Sequence, residues 1–95
     1  MKTVWKYVLK AYDVVTVNMP RGATILSVGE HQNVMFLWAL VDPAEPYEMR
    51  QFCIARTGHE RTDLDGRFIG TVQLAAGMLV FHIFEVVQYR LKERK

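Results

Sequence analysis

The sequence lacks the features by which several large classes of protein are recognised. One cysteine among 95 residues excludes an intramolecular disulfide and fits a reducing compartment. The longest uninterrupted apolar run, residues 34–41, is much shorter than the roughly 20 residues of a membrane helix. No apolar signal segment with a small-residue cleavage site follows the first lysines, so we expect a cytosolic protein without membrane contacts. The net charge of only +2, without a long basic run before the C-terminus, argues against binding to double-stranded nucleic acid.

Catalytic signatures are also missing. The sequence contains no glycine-rich phosphate loop, no nucleophile elbow and no paired-carboxylate motif. His59, Glu60, Asp63 and Asp65 lie close together, but their spacing matches neither a zinc pattern nor a calcium loop. We therefore predict a protein that is not an enzyme and that has neither a cofactor nor a metal site.

The most informative segment that is present is the apolar run 34–41, which is bounded by Asn33 and by Asp42-Pro43. Aromatic and β-branched residues favour a strand here, and proline ends it. Because both faces are apolar, we predict a central strand, with residues 78–87 as the best candidate to lie beside it.

Short alternating segments separated by turn residues fill the remainder of the chain. They predict strands at residues 3–9, 14–19, 24–30, 34–41, 48–57, 68–74 and 78–87. The expected fold is all-β, with about seven short strands in a small sandwich or a partly closed barrel. Residues 1–87 are expected to form a single domain and residues 88–95 a polar basic tail. Since two strands need cover on both faces, we predict a homo-oligomer.

The candidate binding residues lie in two turns that contain glycine. Arg21 and Gly22 follow Pro20, and a guanidinium beside exposed backbone N–H groups is suited to a carboxylate or a phosphate. Thr57, Gly58 and His59 open the longest polar stretch, and Arg56, Arg61 and Arg67 around it add positive charge. Ordinary solvated turns are the alternative interpretation. If the turns are functional, we expect Arg21 and His59 to line one anion site, within the chain or across a subunit interface.

Two further residues have structural interpretations. Cys53 alternates with apolar residues and is predicted to be a small buried side chain. His82 lies on an apolar strand and is predicted to be a hydrogen-bonded core histidine.

Several blocks of sequence occur together in a fixed order. They are residues 19–28 (MPRGATILSV), 37–43 (LWALVDP), 57–59 (TGH), 68–71 (FIGT) and 79–85 (LVFHIFE). With these blocks the chain, up to about Glu85, resembles a family of small uncharacterised proteins of tailed bacteriophages and prophages. The resemblance implies a phage accessory protein in the host bacterial cytoplasm that acts by binding, including interference with host defence.

Three functions are consistent with this reading. The first is a non-enzymatic protein that binds and sequesters a small anionic, nucleotide-like ligand. The second is a protein-interaction module that inhibits a host defence protein through an apolar sheet face. The third is a single-stranded nucleic-acid binder, which would need exposed aromatic side chains.

Overall fold

The computed structural model of the chain describes residues 1–11, 13–60 and 66–86. Its strands are β1 Thr3–Leu9, β2 Val14–Pro20, β3 Thr24–His31, β4 Val34–Val41, β5 Tyr47–Arg56, β6 Gly66–Leu74 and β7 Leu79–Val86, with a short 3-10 turn at Ala75–Gly77. All seven predicted strands are present. The predicted tail, residues 88–95, lies outside the described residues.

The strands form two antiparallel sheets that pack face to face. The first sheet has the order β1-β4-β3, and the second has the order β2-β5-β7-β6. On each strand alternate residues point between the sheets, as the period of two requires. The all-β prediction is confirmed, and of the two architectures offered the fold is the sandwich and not a closed barrel.

β4 is the centre of the first sheet, as its apolar run predicts. Met35, Leu37, Ala39 and Val41 are almost completely buried and face the second sheet, while the alternate residues lie on the outside. The prediction that β7 lies beside β4 is wrong. β4 pairs with β1 and β3, and β7 pairs with β5 and β6 in the opposite sheet. Both strands are apolar because both are inner strands, and this property does not say which sheet a strand joins.

Tight turns determine how several strands follow one another. Gln32 and Asn33 both have positive φ, which gives the two-residue hairpin turn between β3 and β4. Ala75, Ala76 and Gly77 also have positive φ, and the Asn33 Oδ1 accepts a hydrogen bond of 2.7 Å from the Ala75 N–H. The β3–β4 hairpin therefore holds the β6–β7 turn in place.

A glycine inside a strand, such as Gly70 in β6, predicts a bulge or a close approach of the backbone. The β6–β7 register shifts between Phe68 and Gly70. A Cβ atom on Gly70 would lie 2.8 Å from the Val28 Cγ2 on β3. A side chain at this position would therefore displace Val28, because the edge strands of the two sheets come into contact there.

The core contains one ion pair. Arg50 on β5 donates from Nε to the Glu85 Oε2 at 2.6 Å and from Nη2 to the Glu85 Oε1 at 3.0 Å. Its Nη1 donates to the Ala23 carbonyl at 2.6 Å. The Glu85 side chain is 9% exposed, so this bidentate pair is largely removed from water. Cys53 is 4% exposed, which confirms that it is a buried side chain.

Candidate functional site

The Arg21 turn lies where β5 begins. Pro20–Ala23 form a turn in which Gly22 has φ 81° and the Ala23 N–H donates to the Pro20 carbonyl at 3.2 Å. The Gly22 N–H donates to the Glu48 Oε2 at 3.3 Å, and the Arg21 Nη2 lies 3.6 Å from the Glu45 Oε1. This turn does receive carboxylates, as its chemistry predicts, but they come from the same chain.

The Thr57 turn lies where β5 ends. Gly58 has φ 90°, and the His59 N–H donates to the Arg56 carbonyl at 3.1 Å. The Thr57 Oγ1 lies 2.7 Å from the His82 Nε2, so this hydroxyl is already engaged. Of the three predicted residues in this turn, His59 alone lines the neighbouring pocket.

His82 is held between two threonines on the outer face of the second sheet. Its Nδ1 lies 3.0 Å from the Thr71 Oγ1, in addition to the contact with Thr57. The prediction of a hydrogen-bonded histidine is confirmed. Its placement in the core is wrong, because His82 is half-buried and lies on the outer side of its strand, away from the first sheet.

A pocket of about 180 Å³ opens beside the Thr57 turn. Its floor is apolar, since Ile54 is 3% exposed and Phe81 is 7% exposed. Exposed Arg56 and His59 supply basic side chains at its walls, and Ala11 and Asp13 complete the lining. Within the part of the chain that the structure describes, neither Arg56 nor His59 forms a side-chain ion pair.

The backbone positions of the pocket are set by two strands. The Asp13 carbonyl accepts a hydrogen bond from the Ile54 N–H at 3.0 Å, which ties the β1–β2 connection to β5. The Thr57 N–H donates to the Val80 carbonyl at 3.0 Å, which ties the Thr57 turn to β7. Both walls of the pocket are therefore anchored to the second sheet.

Arg21 and His59 are not brought together within one chain. The ten residues of β5 separate their turns, and at the rise of an extended strand this is a distance of about 30 Å. The prediction of one shared site within the chain is wrong, because the two loops lie at opposite ends of the same strand. Arg61 lies outside the described residues.

Asp13 and Phe81 are not among the residues that the sequence predicts for binding, and for Arg56 it predicts only added positive charge around the Thr57 turn. Arg56 gave a usable signal, since by alternation it shares a face with Ile54 and directly precedes the Thr57 turn. Asp13 and Phe81 gave none, because the pairing of β5 with β7 and the course of the β1–β2 connection bring them to the pocket.

Tyr7 has a shifted pKa. Its hydroxyl is buried and has no hydrogen-bond partner among the described residues. Burial raises the pKa of Tyr7 above its ordinary value of 10.0, and the nearby Tyr47 raises it further. Tyr7 lies on the core side of β1 and is not among the residues that line the pocket.

Two kinds of feature are absent from the described residues. No group of three or more His, Cys, Asp and Glu side chains is arranged to hold a metal ion in residues 1–11, 13–60 and 66–86. Asp63 and Asp65 are outside these ranges. No helix in the described part has the length and apolar character needed to cross a membrane.

The comparison with protein families gives one match. The family model described as Domain of unknown function (DUF7352) matches residues 1–93. The chain belongs to this family. The match continues past Glu85, where the resemblance in the sequence was expected to end, and the family description assigns no activity. No curated protein and no solved structure matches the chain.

Proposed function

We propose that the chain is a non-catalytic binding protein that takes a small anionic, nucleotide-like ligand into the pocket between Arg56 and His59. The observation that carries this proposal is the pair of basic side chains over an apolar floor, without a carboxylate paired to either among the described residues. A guanidinium offers two parallel donors to a phosphate, and an imidazole offers a further donor.

The size of the pocket limits the ligand. Sites that enclose a drug-sized molecule usually measure 300–1,000 Å³, and this pocket measures about 180 Å³. It therefore accommodates one part of a nucleotide, such as the phosphate with its sugar. The remaining part would extend from the open side. Phe81 and Ile54 provide the apolar contact beneath the sugar or the base.

The proposed biological setting is that of a phage accessory protein in the host bacterial cytoplasm. It rests on the resemblance to phage and prophage proteins in the blocks quoted above. In that setting, sequestering a nucleotide-type signal would remove it from a host defence system. A binding protein of this kind needs affinity for the ligand and no chemical step.

Thermal-shift screening and calorimetry with nucleotides, cyclic nucleotides and inorganic phosphate test the proposal. A ligand at a hundred times its Kd should stabilise the protein by about 2.7 kcal/mol. We expect Arg56→Ala to weaken binding by about 1.5–3 kcal/mol, because a charge-assisted hydrogen bond is lost. Arg56→Lys should restore part of the affinity, since lysine keeps the charge but not the planar fork.

Arg21→Ala is the matched control, because it removes an exposed turn arginine about 30 Å away. If the site lies within one subunit, this variant should bind as the wild type does. The absence of a shift with every tested anion, together with one stoichiometric host protein in a pull-down, would replace this proposal with the protein-inhibition alternative.

The proposal includes a homo-oligomer. A second copy is the one arrangement that would bring the Arg21 turn of one subunit near the His59 pocket of another. Light scattering at micromolar concentration measures the mass directly, and a particle of 11.0 kDa would contradict this part of the proposal. An oligomer in which Arg21→Ala weakens ligand binding as much as Arg56→Ala would indicate a site shared between subunits.

A further inference from the structure

The outer face of the first sheet carries side chains that the pocket does not use. On β4 the residues that point away from the core include Phe36, Trp38 and Leu40. The β1 residues in register with them are Val8, Lys6 and Val4. We call these six residues the aromatic face.

The aromatic face is accessible. Val4 is 50% exposed and Val8 is 51% exposed, while Phe36 and Trp38 are half-buried. The Phe36 and Trp38 rings lie side by side, with centroids 6.1 Å apart and planes tilted by 48°. A sheet face that is only in contact with water usually carries polar residues, so an exposed apolar face indicates a binding surface.

A glycine leaves space beside the indole ring. Gly29 on β3 is in register with Phe36, and a Cβ atom there would lie 3.0 Å from the Trp38 Cζ3. Any larger residue would press on the edge of this ring. The Trp38 side chain can therefore lie across the neighbouring strand, a position in which it presents a flat surface to a ligand.

The charge on this face is positive. The Lys6 Nζ lies 4.2 Å from the centroid of the Phe36 ring and 6.0 Å from that of Trp38. Lys2 and Lys10 are exposed and flank β1 at positions of the same alternation. Three lysines thus accompany one edge of the aromatic face.

Carboxylates are absent from the strand positions of this face. The β3 residues in register with the outward side of β4 are Thr24, Ser27, Gly29 and His31. Glu30 is in register with buried Met35, on the other side of the sheet, and accepts a hydrogen bond from the Asn33 N–H. Asp42, just beyond β4, accepts one from the Ala44 N–H.

We propose that the aromatic face binds single-stranded nucleic acid, with a base stacked on Trp38 and phosphates contacted by Lys6 and the flanking lysines. Proteins usually bind single strands with aromatic side chains that stack on the bases and with basic residues that contact the backbone. Every base has a flat face, and every phosphate carries a negative charge. A second copy of the chain is the less suitable occupant, since the lysines of both copies would enter one contact without a carboxylate at the strand positions of either face.

This site is independent of the proposed ligand pocket. The pocket is built on the ends of β5 and β7 and on the β1–β2 connection, whereas the aromatic face belongs to β1, β3 and β4. Variants of one site should therefore leave binding at the other unchanged, and either proposal can fail alone.

Fluorescence anisotropy with a labelled thymidine oligonucleotide of about ten nucleotides tests the proposal on the full chain. We expect binding at low salt that weakens as salt increases. Trp38→Ala should weaken it about 5–150-fold, the range for loss of one stacked base. Trp38→Phe should restore most of the affinity. Lys6→Gln should weaken binding and flatten its dependence on salt by about 0.7 in the logarithmic slope.

Met49→Ala is the matched control, because Met49 is 69% exposed on the outer face of the other sheet. The Met49→Ala variant should bind the single strand as the wild type does. The wild type should bind a duplex of the same length more weakly than the single strand. Thermal unfolding of each variant shows that it is folded. Absence of binding at low salt, equal effects of Met49→Ala and Trp38→Ala, or conversion of an oligomer to a monomer by Trp38→Ala would each overturn the proposal.

Discussion

At one end of β5 a glycine turn beside an arginine meets two glutamates of the same chain, and at the other end a glycine turn beside an arginine meets a pocket. The turns are alike in backbone, with φ 81° at Gly22 and 90° at Gly58. They differ in the side chains that surround them. Glu45 and Glu48 occupy the donors of the first turn, whereas Arg56 and His59 have no ion-pair partner in the described ranges.

Two arginines on the same face of β5 show the same contrast. The Arg50 side chain lies in the core, where it donates hydrogen bonds to Glu85 and to the Ala23 carbonyl. Arg56 is exposed at the pocket, six positions further along the strand. Basic residues at both ends of a strand face therefore do not predict which end binds a ligand. The carboxylates supplied by other strands decide that question.

The largest effect is expected from breaking the buried pair. Glu85→Gln leaves the Arg50 charge in the core without its two carboxylate contacts, and removing one member of a buried pair costs about 3–5 kcal/mol. Glu48→Gln, at the exposed turn, should cost less than about 1 kcal/mol. Urea denaturation of both variants measures the free energies of unfolding. Similar losses in the two variants would show that the pair in the core is not special.

Substitution of the turn glycines should produce an intermediate effect that is equal at the two ends. A Cβ atom on Gly22 or Gly58 would meet nothing within 4 Å, so the expected penalty comes from φ alone. We expect Gly22→Ala and Gly58→Ala each to destabilise the protein by about 1–2 kcal/mol, as left-handed backbone does for other L-residues. Thermal unfolding compares the two variants, and a difference of several kcal/mol would contradict the equivalence of the turns.

A smaller effect is expected from opening the Arg21 turn. The double variant Glu45→Gln and Glu48→Gln removes both carboxylates while keeping side chains of the same shape. The turn should then attract phosphate more strongly by about 0.2–1 kcal/mol, the range for exposed charge pairs. In amide NMR spectra, phosphate should shift the Gly22 signal of the double variant and not that of the wild type. An unchanged Gly22 signal in both proteins would mean that the turn has no latent anion site.

The smallest effect at neutral pH is expected at Tyr7, whose neighbour Tyr47 belongs to the Arg21 end of β5. Because the pKa of Tyr7 is raised in the folded protein by burial and by Tyr47, the unfolded chain ionises first as the pH rises past 10.0. Stability is therefore fully present below that pH and is lost above it. Tyr7→Phe should match or exceed the wild type at pH 8, since it removes a buried hydroxyl that has no partner among the described residues.

Urea denaturation of the Tyr7→Phe protein at pH 8 and pH 11 provides the comparison. The variant should lose less stability than the wild type between these values. Tyr47→Phe removes only the contribution of Tyr47 to the pKa of Tyr7, which is smaller than that of burial. Its loss of stability between the two pH values should therefore lie between those of the wild type and Tyr7→Phe. A wild type that loses no more stability than Tyr7→Phe at high pH would show that Tyr7 is not responsible.

Much of the fold follows from local patterns. Alternation predicts β1 and its core-facing Tyr7 and Leu9, and the apolar run predicts β4 within its observed bounds. Gly70 at the bulge in β6 is likewise a local signal. These predictions succeed because side-chain period and turn chemistry are properties of neighbouring residues.

The assembly of the sheets and of the site does not follow from local patterns. β4 and β7 read alike in sequence, and only the pairing of each with its neighbours places them in different sheets. Arg21 and His59 are both loop residues, but the loops lie at the two ends of β5. Phe81 reaches the pocket through its register with Arg56 across β5 and β7. Such relations depend on residues far apart in sequence, and a single sequence does not encode them in a local pattern.

The central position of β7 has a consequence for how the protein is made. The first sheet draws all three of its strands from the first 41 residues, so a ribosome releases it complete while the second sheet is still unfinished. β6, by contrast, emerges with no partner in its sheet until β7 follows and enters between β5 and β6. During that interval two strand edges are open to other nascent chains. A translation stop or a frameshift before Leu79 would therefore not shorten the sandwich by one strand. It would leave β5 and β6 each with an unpaired strand edge. Cellular proteases and chaperones remove products with such exposed edges.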